Sequence, residues 1–196
     1  MMGRKRLNRA LFGEAHPLGR YAEVEDYDRL SPEVLKSFYH QHYHSGNCSI
    51  YLSGKITPEI IQSVERALGD APWGEVSQAS SFQPITPQPE VGKCFFVEKE
   101  DALQSSIKLG GFVMDRLHPD FLKARVMVTL FGGYFGSRLM SNIREDKGYT
   151  YSIGAGIVTY PGVSVLAIST EAANEYAEAV ITEVYKEMDR LCNDRV

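Results

Sequence analysis

The spacing of apolar residues along the chain predicts helices that alternate with paired strands. The clearest signal is a helix over 174–191, where apolar side chains recur every three or four positions and form one stripe. A helix over 118–133 is apolar on most of its sides, so we expect it to be buried. A short helix over 137–146 follows it and is expected to end at Gly148.

The first half of the chain carries weaker signals. Residues 1–30 show little periodicity and are interpreted as a lead-in segment or linker. Ser31 is typical of a residue that caps a helix N-terminus, and the helix that it starts is expected to stop near Gly46. A second helix is predicted between Thr57 and Gly69.

Short apolar or alternating runs predict the strands. One strand is expected over 48–54, and two hairpins are expected, the first from 93–99 with 103–114 and the second from 149–158 with 163–170. Residues 70–92 contain four of the nine prolines and are interpreted as an extended crossover on the surface. Hairpins mixed with helices predict an α+β fold, in which a mixed or antiparallel sheet has helices packed mainly on one face.

Composition and charge narrow the function classes. The 196 residues are 43% hydrophobic and 23% charged, close to the average of globular domains. A net charge of −4 disfavours a dedicated nucleic-acid-binding protein, and no apolar run approaches the roughly 20 residues of a transmembrane helix. Cys48, Cys94 and Cys192 are too far apart to indicate a disulfide scaffold or a cysteine-rich zinc module. We expect Cys48 and Cys94 to be small buried residues within strands.

Two further patterns are typical of binding sites but lack the residues that would complete them. His40 and His44 are four positions apart, as metal ligands on one helix face are, yet no carboxylate or further histidine follows at a suitable spacing. We therefore interpret His40, His42 and His44 as surface residues near a helix C-terminus. Gly132 and Gly133 precede a helix, as in phosphate-binding loops, but the Lys-Ser/Thr pair is missing, which favours a tight link between two helices.

The most specific pattern runs from Gly132 to Ser152. It contains a glycine pair, Ser-Arg-Leu, Arg-Glu, a single glycine and Tyr-Ser, at Gly132, Gly133, Ser137, Arg138, Leu139, Arg144, Glu145, Gly148, Tyr151 and Ser152. Upstream, the matching residues are Phe38, Tyr39, Tyr43, Asn47, Gly54 and Gln104. In these residues the chain, from about residue 16 to its end, resembles the second homologous domain of the insulinase (pitrilysin) family of zinc metallopeptidases.

This resemblance implies a part in peptide hydrolysis that needs a second half. Members of the family bind zinc through an inverted HxxEH helix and a distant glutamate in their first domain, and HxxEH does not occur in this sequence. The resemblance therefore implies that this chain holds no metal or cofactor and that zinc is held by a partner, an HxxEH-bearing domain or subunit. An extended peptide is the implied substrate, and a dimer is compatible with the family.

The resemblance also assigns roles to two residues. The second domain of the family supplies an arginine and a tyrosine seven residues apart, which here are Arg144 and Tyr151. It implies that Arg144 donates hydrogen bonds to a substrate carbonyl and that Tyr151 donates one to the oxyanion that develops during hydrolysis. The alternative from the residues alone is that Arg144 pairs with Glu145 or Asp146 and that Tyr151 belongs to the core.

The domain assignment follows from the same resemblance. Residues 1–30 are expected to be a linker, and residues 31–196 an insulinase-type non-zinc domain that is shorter than its family pattern. The double methionine at the start favours an excerpt of a longer peptidase over a free-standing subunit. The functional hypothesis is a substrate-clamping half of a metalloendopeptidase. The alternative is a structural or assembly domain derived from such peptidases, and the presence of both Arg144 and Tyr151 counts against it.

Overall fold

The computed structural model describes residues 2–74 and 85–193 and divides into two compact units, Met1–Tyr21 with Pro84–Val196, and Ala22–Gln83. The helices are α1 (Met2–Phe12), α2 (Val24–Asp28), α3 (Pro32–His42), α4 (Pro58–Val64, continued by a π-helical turn Glu65–Gly69), α5 (Phe121–Val128, continued by a π-helical turn Thr129–Gly133), α6 (Met140–Asp146, which is π-helical) and α7 (Ala177–Asn193). The strands are β1 (Gln104–Val113), β2 (Thr150–Tyr160) and β3 (Val163–Ala173). Short 3-10 turns occupy Ser45–Asn47 and Asn174–Tyr176.

The larger unit is built on an antiparallel sheet with the strand order β1-β3-β2. The central strand, β3, pairs with β1 so that Thr170 lies opposite Ile107, and with β2 so that Thr170 lies opposite Ile153. The hairpin predicted around residues 161–162 is therefore present, and the α+β prediction is confirmed.

The core lies on one face of this sheet. Ile107, Ile153 and Ile168 point toward the helices that follow β1 in the sequence. They pack against buried side chains of three helical segments. These are Phe131 in the π-helical turn after α5, Leu139 and Ile143 immediately before and within α6, and Val180 and Val184 in α7. Of the apolar stripe that predicts the last helix, Val180 and Val184 are buried here, whereas Tyr185 is exposed. Burial of the apolar face of a helix is the main source of its stability.

Helix α1 covers part of the opposite face of the sheet. Its Leu7 lies against Gly110 of β1, and the Phe12 ring makes edge contacts with Phe112 and Tyr160 at centroid distances of 5.4 and 5.8 Å. Within residues 1–30, interpreted from the sequence as a lead-in segment or linker, the structure thus forms helices α1 and α2. Helix α1 is not predicted from the sequence because it has few apolar residues at helical spacing. Its stability depends on contacts with distant strands, which local periodicity does not show.

The strand predicted over 93–99 is not formed, although its partner is. All of β1 is paired with β3, and residues 93–99 have no regular structure. The Phe95 ring instead lies under the guanidinium of Arg6, 3.9 Å from its centre. Cys94, expected to be buried, is exposed because its segment has no strand on either side to enclose it.

The smaller unit, residues 22–83, contains α2, α3 and α4. Ser31 caps α3 as predicted, with its hydroxyl accepting the Val34 backbone N–H at 3.3 Å. The strand predicted over 48–54 is wrong: within the described residues nothing pairs with this segment, and Cys48 is exposed. A β-strand needs a neighbour to satisfy its backbone groups, which the local pattern alone cannot supply.

Two remaining predictions concern the surface of the chain. The crossover predicted over 70–92 lies partly outside the described residues, since 75–84 belong to that segment, and its described ends lack regular structure. Across the described ranges, none of the helices combines the length and the apolar character that a membrane crossing requires.

Candidate functional site

The turn from α6 into β2 places Arg144 and Tyr151 close to each other. Arg144 lies in the last turn of α6. Gly148 ends the helix with φ +65°, a left-handed conformation that glycine adopts without strain, and its N–H donates to the Arg144 carbonyl at 3.1 Å. Strand β2 begins at Thr150, so Tyr151 is its second residue.

A break in the β2–β3 register directs Tyr151 outward. The pairing shifts between Thr150 and Ile153, as in a β-bulge. The buried Thr150 hydroxyl fixes this bulge, because its oxygen lies 2.8 Å from the Thr170 hydroxyl and 2.6 Å from the Glu171 carbonyl oxygen. The Tyr151 side chain is 88% exposed, so the alternative that it belongs to the core does not describe its position.

Two aromatic rings flank the guanidinium of Arg144. Its central carbon lies 4.5 Å from the centre of the Phe135 ring and 5.6 Å from the centre of the Tyr151 ring. Both distances fall within the range of cation–π attraction, about 6 Å. The Arg144 side chain also pairs with the Glu145 carboxylate, as the alternative from the residues alone predicts, and remains 25% exposed. The structure thus brings the two predicted site residues together at the surface.

Arg144 and Tyr151 can both donate hydrogen bonds to a bound molecule. A guanidinium carries five N–H donors in one plane, so Arg144 can bind Glu145 and still donate to a second acceptor. The Tyr151 phenol is a donor as well, and its exposure leaves it accessible to a bound molecule. Together they offer cationic and neutral donors to a carbonyl or carboxylate group.

Largely buried hydrogen bonds and ion pairs connect Arg138 and Asn142 to Glu183 and Glu187 of α7 and hold the helix that carries Arg144; we call this group of contacts the α6–α7 seam. Asn142 of α6 donates its amide to Glu183 at 3.1 Å and to Glu187 at 2.9 Å, both on α7. Arg138 adds an ion pair with Glu187 at 3.0 Å. The sequence pattern does not indicate these contacts, because Glu183 and Glu187 occupy ordinary charged positions of an amphipathic helix and the partner helix cannot be identified from the pattern.

The electrostatics of the seam favour the ionised form of Glu183. The hydrogen bond from Lys186, at 2.8 Å, is the largest cause that holds the pKa of Glu183 below its ordinary value of 4.5. The bond from Asn142 and the charge of Lys147 lower the same pKa further, whereas burial acts in the opposite direction. Glu183 therefore stabilises the seam as a carboxylate.

The described residues do not provide a metal centre. Across 2–74 and 85–193, no three histidine, cysteine, aspartate or glutamate side chains converge in a way that could hold a metal ion, so zinc does not fit this part of the chain. His40 and His42 are exposed in the last turn of α3, as expected. His44 is buried instead, which corrects the interpretation of all three as surface residues.

Comparison with known families gives a match over most of the chain. The family model described as "Peptidase M16 inactive domain" matches residues 29–196. An "Uncharacterized zinc protease" of Rickettsia felis is 26% identical over 169 residues, which cover 83% of this chain and 38% of that protein. A Bacillus subtilis protein named "Probable inactive metalloprotease YmfF" is 24% identical over 176 residues, which cover 85% of this chain and 39% of that protein.

Comparison with solved structures gives the same fold. The peptidase M16 inactive domain from Pseudomonas fluorescens superposes with a TM-score of 0.80 and 24% sequence identity, covering 100% of this chain and 47% of that one. The chain thus spans less than half the length of the relatives that it matches.

Proposed function

Because this chain belongs to the peptidase M16 inactive-domain family, we propose that it is the substrate-clamping part of a zinc metallopeptidase that hydrolyses extended peptides. In this proposal the metal is held by an HxxEH-bearing domain or subunit, and this chain supplies hydrogen-bond donors to the peptide. The observation that carries the proposal is the proximity of the Arg144 guanidinium to the exposed Tyr151 ring, at 5.6 Å.

The two residues have different tasks. Arg144 donates in-plane hydrogen bonds to a backbone carbonyl of the peptide and so fixes its position. Tyr151 donates its phenolic proton to the oxygen of the scissile carbonyl, which gains negative charge as the bond is attacked. A donor that is already in place when this charge develops lowers the barrier, because no reorganisation is needed at that moment.

The experiment measures hydrolysis of a quenched fluorescent peptide by this chain mixed with a purified HxxEH-bearing M16 half. We expect no hydrolysis by this chain alone, and a decrease of about 10²–10³ in kcat for Tyr151→Phe in the mixture, the usual result of losing one oxyanion donor. Arg144→Ala is expected to lower kcat/KM in the same mixture.

The matched controls are Tyr185→Phe and Arg116→Ala, which alter exposed residues outside the site. Both controls should leave hydrolysis unchanged. If Arg144→Ala and Tyr151→Phe also keep full activity, the proposed roles are wrong.

A second candidate is a structural or assembly domain without a part in hydrolysis. The name of the Bacillus subtilis relative, "Probable inactive metalloprotease YmfF", favours this alternative. Under it, the chain would bind its partner half with unchanged affinity in the Arg144→Ala and Tyr151→Phe variants, and the mixture would hydrolyse no peptide. Size-exclusion chromatography combined with the peptide assay therefore separates the two candidates.

A further inference from the structure

The loop between α5 and α6 brings a third side chain to the proposed site. We define the glycine loop as residues 132–136, Gly-Gly-Tyr-Phe-Gly, of which the first two end the π-helical turn after α5. A Cβ added to Gly132 would lie 2.7 Å from both the Cβ and the backbone nitrogen of Ala155 in β2. Only glycine permits this approach, so the start of the loop is seated on the strand that carries Tyr151.

The loop, held against β2 at Gly132, places the Phe135 ring next to the Arg144 guanidinium. The Phe135 ring is 65% exposed, so burial in the core does not hold it where it lies. The central carbon of the Arg144 guanidinium lies 4.5 Å from the centre of this ring, and the cation is attracted to the negative face of the ring. The shorter of the two cation–π distances is thus the one to Phe135 rather than to Tyr151.

Arg144 needs such a contact to serve as a fixed donor. Its side chain is long and flexible, so holding it in one rotamer carries an entropic cost. Glu145 is the next residue and provides a competing acceptor for the same guanidinium. A ring on one face restricts the guanidinium plane and leaves the edge donors free.

We infer that Phe135 is a positioning residue, whose ring holds the Arg144 guanidinium beside Tyr151 so that its free donors are directed to the peptide. This inference rests on the proposed function. Phe135 itself donates nothing to the peptide, and its effect on hydrolysis passes through Arg144.

The test compares three variants of the glycine loop. Phe135→Leu removes the ring and keeps an apolar side chain, Phe135→Tyr keeps the ring, and Tyr134→Leu removes the neighbouring ring as a control. In the mixture with the HxxEH-bearing half, Phe135→Leu should lower kcat/KM about 3- to 30-fold, the range expected for one cation–π contact. Phe135→Tyr and Tyr134→Leu should remain within about twofold of the unaltered chain.

A spectroscopic measurement on this chain by itself provides the second readout. The ring current of Phe135 should shift the Nε–Hε resonance of Arg144. This contribution should be lost in Phe135→Leu, which leaves only the effect of the more distant Tyr151 ring, and it should be kept in Phe135→Tyr. In combination with Arg144→Ala, Phe135→Leu should cause no further loss of activity, because both changes remove the same positioned guanidinium.

The outcomes separate this inference from the proposed function. If Arg144→Ala keeps full activity, the proposed function fails, and the positioning role fails with it. If Arg144→Ala slows hydrolysis while Phe135→Leu does not, only the positioning role is overturned. A resonance that is unchanged in Phe135→Leu overturns the stacking contact whatever the activity.

Discussion

Gly132 is the residue on which the seating of the glycine loop depends. The β-carbon of an alanine there would lie within 2.7 Å of Ala155 and 3.0 Å of the Leu139 side chain. We therefore expect Gly132→Ala to destabilise the chain by about 1–3 kcal/mol, as overpacked core substitutions do. Urea unfolding monitored by circular dichroism measures this as a decrease in the midpoint with an unchanged slope.

The control for this prediction is Gly156→Ala in β2. Among the described residues, no heavy atom apart from its chain neighbours lies within 4 Å of a Cβ placed at Gly156, and the φ of Gly156 is not in the left-handed region. Its substitution should therefore leave the midpoint unchanged or raise it slightly, since alanine restricts the unfolded chain more than glycine does. Equal midpoints for the two variants would contradict the close approach at Gly132.

The seam between α6 and α7 determines how firmly the helix that carries Arg144 is held. We expect Glu183→Gln to lower the free energy of unfolding by about 1–2 kcal/mol at pH 7, because the hydrogen bonds to this carboxylate involve a charged acceptor. Since the pKa of Glu183 is lowered by folding, its contribution is complete above the unfolded value of 4.5 and is lost as pH falls through the folded value. The difference between the two proteins should therefore decrease below pH 4.5.

Denaturant unfolding at a series of pH values measures this difference. The matched control is Asp189→Asn, on the same helix at an exposed position away from its first turn. It should follow the unaltered chain at every pH. A difference for Glu183→Gln that persists undiminished to low pH would mean that charge on Glu183 is not the cause.

The elements that the sequence predicts correctly are those whose packing or pairing is visible in the local pattern of apolar residues and turns. Helix α7 shows its stripe over 17 residues, and the β2–β3 hairpin has a short turn between alternating strands. Three elements are not predicted correctly, namely the strands expected over 48–54 and 93–99, which do not form, and helix α1, which was not expected. Whether each of them forms depends on a distant partner that the local pattern does not identify.

The candidate site was predictable to a similar degree. Arg144 and Tyr151 were found through a family resemblance, and the family assignment is confirmed over residues 29–196. Their proximity follows from the short connection between α6 and β2. Phe135 and the α6–α7 seam could not be found in this way, because their contacts join residues 9 to 49 positions apart that share no periodicity.

At the scale of the whole molecule, the two units differ in how much apolar surface they bury. Every buried apolar side chain in the described part of the chain lies in the unit that contains the sheet, including Val180 and Val184 of α7. In the 22–83 unit, by contrast, the large apolar residues of α3 are about half exposed, among them Phe38 at 55%. Buried apolar area is the main favourable contribution to folding, so the 22–83 unit should open locally at a lower free energy.

Hydrogen exchange followed by mass spectrometry tests this difference within one sample. After correction for intrinsic rates, amides in the middle of β3 and α7 should exchange at least about tenfold more slowly than those of α3, which corresponds to about 1.4 kcal/mol of opening free energy. Both sets of amides are in regular hydrogen-bonded structure, so the comparison isolates burial from secondary structure. Equal protection would mean that the two units open together, and that the apolar side chains of α3 contribute to one cooperative core.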